Sequence, residues 1–562
     1  LRSPWLDDFR RAHRYAPALG EFVTFEKFFS ETDLDGRMSE FRRGNYLSPF
    51  LVQAVAKREA SPISRYVEAT RRRRRFEASD FSQATAGLLH DRRVLESEEP
   101  NLESCLADAG PDLTADAAPD MPLDDRLAQA QSSAAQSLAR LLTTSTDGHA
   151  GLLVINPLSF ARKAVVDWPE SLSVPAAESP VVARQFSDTS RQIVVDVPPS
   201  GFCWVQAPTA EASLPAASKV PMAEELVVRN EFMEITLSDA TGGISQVRTY
   251  GRGGNRLSQQ LAWRFSREKT VTYKVEEETS SRKTWYSDMV LREQRVLSAG
   301  PAWGAVETVG DLLDPTNGKL LATFRQRVSL WRGRPFADVE IELGLEKTPE
   351  GDPWTNYLGC RFAWNDSSQT LTRSMQETAW SVKDEQRLES PSFLELASES
   401  HRTTILTGGL AFHRVTGPRM LDTLLVTEGE QHRTFRFAIA IDQNYPMAAA
   451  LDWETPVISI PTTDANAPVP TGWLFQVGAR NVQLRRILPL TGAEAGKAGC
   501  IVRLQETEGK NKTFKLGCFL TPTRARQVDL DGQSLHTFKI ENGAALVSIA
   551  PYELCDVELR FE

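Results

Sequence analysis

The sequence predicts an α+β chain that is mainly β: a helical first part followed by several antiparallel β-sandwiches. Three observations predict it. Apolar residues recur at helical spacing over roughly the first 145 residues, at period two after Gly148, and no long helices interrupt the later strands as parallel α/β units would require. At 562 residues the chain exceeds what one core serves, so several units are expected.

Taken in order, the helical part begins its clear pattern at Pro62, which suits a first helical turn and opens a helix through Tyr66, Val67 and the arginines to Phe76. After Pro122, the residues Leu123, Leu127, Ala130, Ala134, Leu138 and Leu141 form an amphipathic stripe. Between the two lies Glu96 to Asp120, with eight acidic residues and no basic one, read as a surface connector. Beyond Gly148, Ile193/Val195/Val197, Met233/Ile235/Leu237, Val339/Ile341/Leu343/Leu345, Phe435/Phe437/Ile439/Ile441 and Val557/Leu559/Phe561 recur at period two, against Glu340 and Glu342, Arg436, and Glu558 and Arg560 in the last three. Each predicts a strand with one buried and one wet face. Pro- and Ala-rich stretches at 207–221 and 461–472 serve as boundaries. The resulting division is 1–40, 41–147, 148–215, 222–480 and 481–562.

Composition narrows the function classes. The net charge of −10 argues against a polyanion binder, so no nucleic acid partner is expected. No apolar run reaches the ~20 residues of a membrane helix, and a soluble protein with no membrane partner is expected. Six cysteines, the closest pair eighteen positions apart and without CxxC, predict buried free thiols rather than a zinc ribbon or disulfide framework. The compartment is not legible, and a homo-oligomer is left open.

Generic chemical motifs are missing. None of the seven histidines forms an HxxxH pair, GxSxG is absent, and "GAEAGKA" (492–498) has the wrong spacing for a phosphate loop. "GRGGN" (251–255) reads as a turn, since no βαβ unit surrounds it. Arg71–Arg75 point all round a helix, which predicts ion pairing with neighbouring elements. Trp354, Tyr357 and Trp364 offer either a sugar-stacking platform or sheet packing.

Several segments, in order, resemble glycoside hydrolase family 38, the retaining α-mannosidases. In "EFRRGNYLSPFL" (40–51), Arg43, Gly44, Tyr46 and Ser48 match that family's HRGTYTS, and "EATRRRRRFEASDF" falls on the helix that follows. "GLLVINPLSFARKAVVDWP" places Asn156, Pro157, Ser159 and Arg162 on an N-P-x-S-x-x-R pattern. "VVRNEFMEITLSDATGGISQV" places Asn230, Phe232, Gly242, Gly243 and Ile244 in register with the start of the large sandwich, and "VRLQETEG" and "IAPYELCDVELRF" resemble the terminal one.

The resemblance implies an α/β catalytic barrel, a three-helix bundle and β-sandwiches, the largest a galactose-mutarotase-like supersandwich. Residues 1–40 would then be the closing tail of the barrel. It also implies zinc, an Asp nucleophile and a second carboxyl group, with the two carboxyls about 5–5.5 Å apart. This chain departs from that pattern. "SPWLDDFRRAH" is like the nucleophile segment only by chance, because Asp7 and Asp8 stand too near the bundle. Where the family has its metal-binding His, this chain has Arg42, whose guanidinium offers no lone pair. Zinc is therefore not expected on this chain. Arg42 either takes over the positive charge toward sugar hydroxyls or an acidic sugar, or pairs with a surface acid.

The expected function is an α-mannosidase-like glycoside hydrolase acting on mannose-containing glycans, represented mainly by helical and β domains and inactive as this chain alone. The alternative is a non-catalytic carbohydrate-binding or structural module derived from that family. No catalytic residue is assigned. The substrate-binding candidates are Arg42, Arg43, Tyr46, Trp354 and Tyr357, and a glycan is the expected partner.

Overall fold

The computed structural model describes residues 5–32, 43–94, 102–103, 106, 121–187, 190–209, 220–251, 254–272, 278–467, 469–491 and 494–562. Helices Trp5–His13, Ala16–Leu19 and Phe25–Glu31 come first, then Phe50–Ala56 and two long helices, Ser64–Asp91 and Leu123–Leu142. The described strands that follow form five antiparallel sheets. The chain is thus mainly β with a helical start. Arg42, the acidic connector and Cys105 lie outside the described residues. The other five cysteines are buried free thiols.

The two long helices pack on each other because each carries an apolar seam. In Leu123–Leu142 that seam is Leu123, Leu127, Ala134, Ala135, Leu138, Ala139 and Leu142. Leu141, expected on it, is exposed instead, since a step of four from Leu138 keeps Leu142 on the buried face.

The start of Ser64–Asp91 has no side-chain cap of its own. Instead Glu430, from a loop of the large sandwich, accepts the backbone N–H groups of Ile63 and Ser64 at 2.9 and 3.0 Å and the Ser64 hydroxyl. A carboxylate there meets both the orphan donors and the positive end of the helix dipole.

Two sheets, of ten and nine strands, form the large sandwich around the principal core. An eight-stranded sheet makes the terminal sandwich. The stretch 461–472, expected as a boundary, is largely sheet. Strand Ile458–Asn466 pairs with Thr144–Asn156, and Thr471–Trp473 pairs with Gly201–Gln206. Both are edge strands, and Pro461 is tolerated there because an edge strand need not donate every N–H outward.

The motif residues are brackets. Asn156 donates to the carbonyls of Phe160 and Pro198 and accepts from Leu158 N–H. Asn230 does the same between Trp331, Arg334, Phe232 and Met233. A Cβ at Gly243 would stand 2.4 Å from the Gln259 carbonyl oxygen, so only glycine fits.

Candidate functional site

The stretch 43–49 is built onto one corner of the large sandwich. Arg43–Asn45 is a single 3₁₀ turn. A Cβ at Gly44 would lie 3.0 Å from the Asp384 carbonyl oxygen, which explains the glycine. The turn beneath is held by Glu385, whose carboxylate accepts the N–H groups of Lys383 and Asp384. Ser48 is buried at φ 34° and donates its hydroxyl to Glu389 on strand Arg387–Glu389. Arg387 donates to the Leu47 carbonyl at 3.3 Å. Leu51, fully buried, then anchors helix Phe50–Ala56 in the main core.

Above this anchor, Tyr46 and Leu47 face solvent, Tyr46 at 37% exposure. Burial of the Glu389 carboxyl pushes its pKa up, opposed by the Ser48 hydroxyl and by Arg373. Partial burial raises the Tyr46 phenol, and the negative charge of Glu389 adds to this. The corner therefore presents a phenol beside a partly buried carboxyl whose pKa is raised, groups able to exchange hydrogen bonds with sugar hydroxyls.

Trp354 and Tyr357 are corrections. Both are 0% exposed, so neither offers a ring face to a sugar. Trp354 sits in a turn where Asp352 accepts its N–H, packed edge-on against Phe412 with the Arg387 guanidinium 5.4 Å from its ring. Tyr357 donates its hydroxyl to the buried Asp422 at 2.8 Å. They support the corner from below. Tyr46 stands at the site, Arg43 lies in its first turn, and Arg42 is not described.

Sequence reasoning missed Glu389, Glu385 and Arg373. They lie more than three hundred positions from Ser48, and the only local signal was the alternation of Arg387, Leu388 and Glu389, which turns both charges to one face.

A zinc ion does not fit these residues. His413, the imidazole near this corner, is buried with Nε2 donating to the Ser390 carbonyl and Nδ1 bonded to Thr423. Its pKa is pushed down to about 4 by burial. Both nitrogens are occupied, and residue 42 is an arginine. Among the described residues no group of three His, Cys, Asp or Glu side chains could hold a metal ion, and no helix is long and apolar enough to cross a membrane.

No protein-family model and no curated protein sequence matches this chain. Its fold is that of glycoside hydrolase structures. An α-mannosidase from Enterococcus faecalis V583 aligns over 98% of this chain and 74% of its own length, with a TM-score of 0.64 at 11% identity. A glycosyl hydrolase family 38 protein from Enterococcus faecalis aligns over 90% of this chain and 71% of its own, with a TM-score of 0.58 at 10% identity.

Proposed function

We propose that the chain is an α-mannosidase-like glycoside hydrolase scaffold for mannose-containing glycans, with residues 43–49 and Glu389 bordering the carbohydrate cleft. The observation that carries this reading is the likeness of fold over nearly the whole chain to an α-mannosidase. The docked corner supports it: an open phenol and a raised carboxyl stand where the resemblance to HRGTYTS falls.

On this reading the 562-residue chain alone does not hydrolyse mannosides: among the described residues no group of side chains could hold zinc, and Arg42 stands where the family has its metal-binding His. A second reading, a non-catalytic glycan-binding module of the same fold, is favoured by one observation: Arg42 in place of an imidazole. One experiment separates the readings. The chain is incubated with p-nitrophenyl α-D-mannopyranoside, with and without zinc, and its binding of α-mannobiose is titrated. Weak binding without turnover is expected. Zinc-dependent turnover would contradict the inactivity, and absence of any mannoside binding would contradict the carbohydrate role of the corner.

A further inference from the structure

The terminal sandwich carries an open tryptophan over a flat floor. Gln476 pairs with Gly517, Gly517 with Ala544, and Ala544 with Glu541. Directly paired residues project to one face, so these four form a row across four neighbouring strands. Lys515 and Gly478, two positions along, share that face. The opposite face, with Phe475, Leu516 and Ala545, is core. Small residues at the centre of the row leave nearly bare backbone there.

Trp473 stands over this floor. Its Cζ3 and Cη2 atoms lie 3.8 Å from where a Cβ of Gly517 would be, and 45% of the residue stays exposed. At the rim, Asn542 and Gly543 (φ 53° and 76°) make the two-residue turn between Ser534–Glu541 and Ala544–Ile549. Positive φ at both positions is what a type I′ hairpin needs. Trp473, Gln476, Lys515, Gly517, Glu541 and Asn542 line a groove of about 470 Å³. That is within the range of small-ligand sites.

We infer that this groove binds hexopyranose units of a neutral glycan. The C–H face of a pyranose ring packs on an exposed indole. Amides and a carboxylate both surround it, supplying donors and acceptors for hydroxyls. Glu541 is ion-paired with Lys539 at 2.7 Å and Lys515 stands nearby, so both signs of charge flank the floor rather than a cluster of one sign. A flat floor with one aromatic wall suits a chain lying along the surface rather than an enclosed monosaccharide. The site is separate from the corner at 43–49 and does not rest on the hydrolase reading.

The test is affinity gel electrophoresis of the full chain with soluble yeast α-mannan, galactomannan or barley β-glucan in the gel. At least one polysaccharide retards the wild type. Trp473→Ala weakens that retardation about tenfold, as loss of an aromatic anchor does. Gln476→Ala, an exposed change that leaves the fold alone, weakens it about threefold. Trp473→Phe keeps most of it. No retardation by any of the three, or wild-type retardation in both Trp473→Ala and Gln476→Ala, would overturn the inference. A chain that fails to bind mannosides at the 43–49 corner still shows the Trp473-dependent retardation, so the two proposals fail separately.

Discussion

The long helix Ser64–Asp91 and the stretch 43–49 both join the helical part to the large sandwich, but they do so with different chemistry. The helix is held by buried, many-partnered charge. Arg74 reaches Glu77 at 2.9 Å, Glu377 at 2.7 Å and Glu454 at 3.1 Å, while Arg485 of the terminal sandwich pairs with Glu77 and Glu377. Arg71 and Arg72 meet Asp124 of the second long helix. The stretch 43–49 instead is docked through the Ser48–Glu389 hydrogen bond and the Leu47 carbonyl, and leaves Tyr46 and Leu47 in solvent. Arg74 joins the helix to the sandwich, while Arg71 and Arg72 join the two long helices. The corner is a surface that has been positioned but left open, which is what a binding border requires.

The sharpest way to break this comparison is Arg74→Met. It strands three carboxylates with one guanidinium, so a loss of about 3–5 kcal/mol is expected. A urea midpoint unchanged from wild type would show that the joint is not held by charge. Next in size is Glu430→Ala, which leaves the Ile63 and Ser64 N–H groups buried without an acceptor, at about 2–3 kcal/mol. Hydrogen exchange at residues 63–66 should rise with it, and normal protection there would place the cap elsewhere.

A third effect is a pH dependence. The buried joint holds three carboxylates against two guanidiniums, and burial of Glu454 pushes its pKa up to about 7 while Glu377, also desolvated but beside Arg485 and Arg74, is drawn down to about 2. A carboxyl raised on folding contributes stability that is full below its ordinary value and lost as pH rises through the folded one. The thermal midpoint should therefore fall by about 1 °C from pH 6 to pH 8. Glu454→Gln should flatten that fall. An equal slope in the variant would assign the titration to another group.

The smallest effect belongs to the corner. Ser48→Ala should cost about 1 kcal/mol or less in global stability, yet raise exchange at residues 46–49 well above wild type. If global stability drops as far as in Arg74→Met, the corner is part of the joint after all.

Much of the fold was legible because it follows from period. The alternating strands, the two helices and the mainly β class come from spacing alone. The bracket residues Asn156, Asn230 and Gly243 were legible for another reason: a buried asparagine closing three or more backbone bonds, or a glycine 2.4 Å from a carbonyl, leaves the sequence little choice. So were the "ETEG" and "APYE" turns, which Glu506 ties together by accepting from Glu508, Gly509 and Tyr552.

The site was less legible. Ser48 could be named, but its partner Glu389 could not, since contacts across 341 positions leave no local pattern. Aromatic content near Trp354 suggested a platform, but residue type does not tell a ring in the core from one at an edge. The Pro-rich stretch before Trp473 suggested a boundary, although a proline on an edge strand looks the same in sequence.

The most direct measurement is α-mannobiose binding by the wild type and by Tyr46→Ala, followed by calorimetry. The account predicts weak binding by the wild type and a loss of about fivefold or more in the variant, since an open phenol at a binding border contributes about 1 kcal/mol. Equal binding by the two proteins, or none by the wild type, would contradict the claim that residues 43–49 border a carbohydrate cleft.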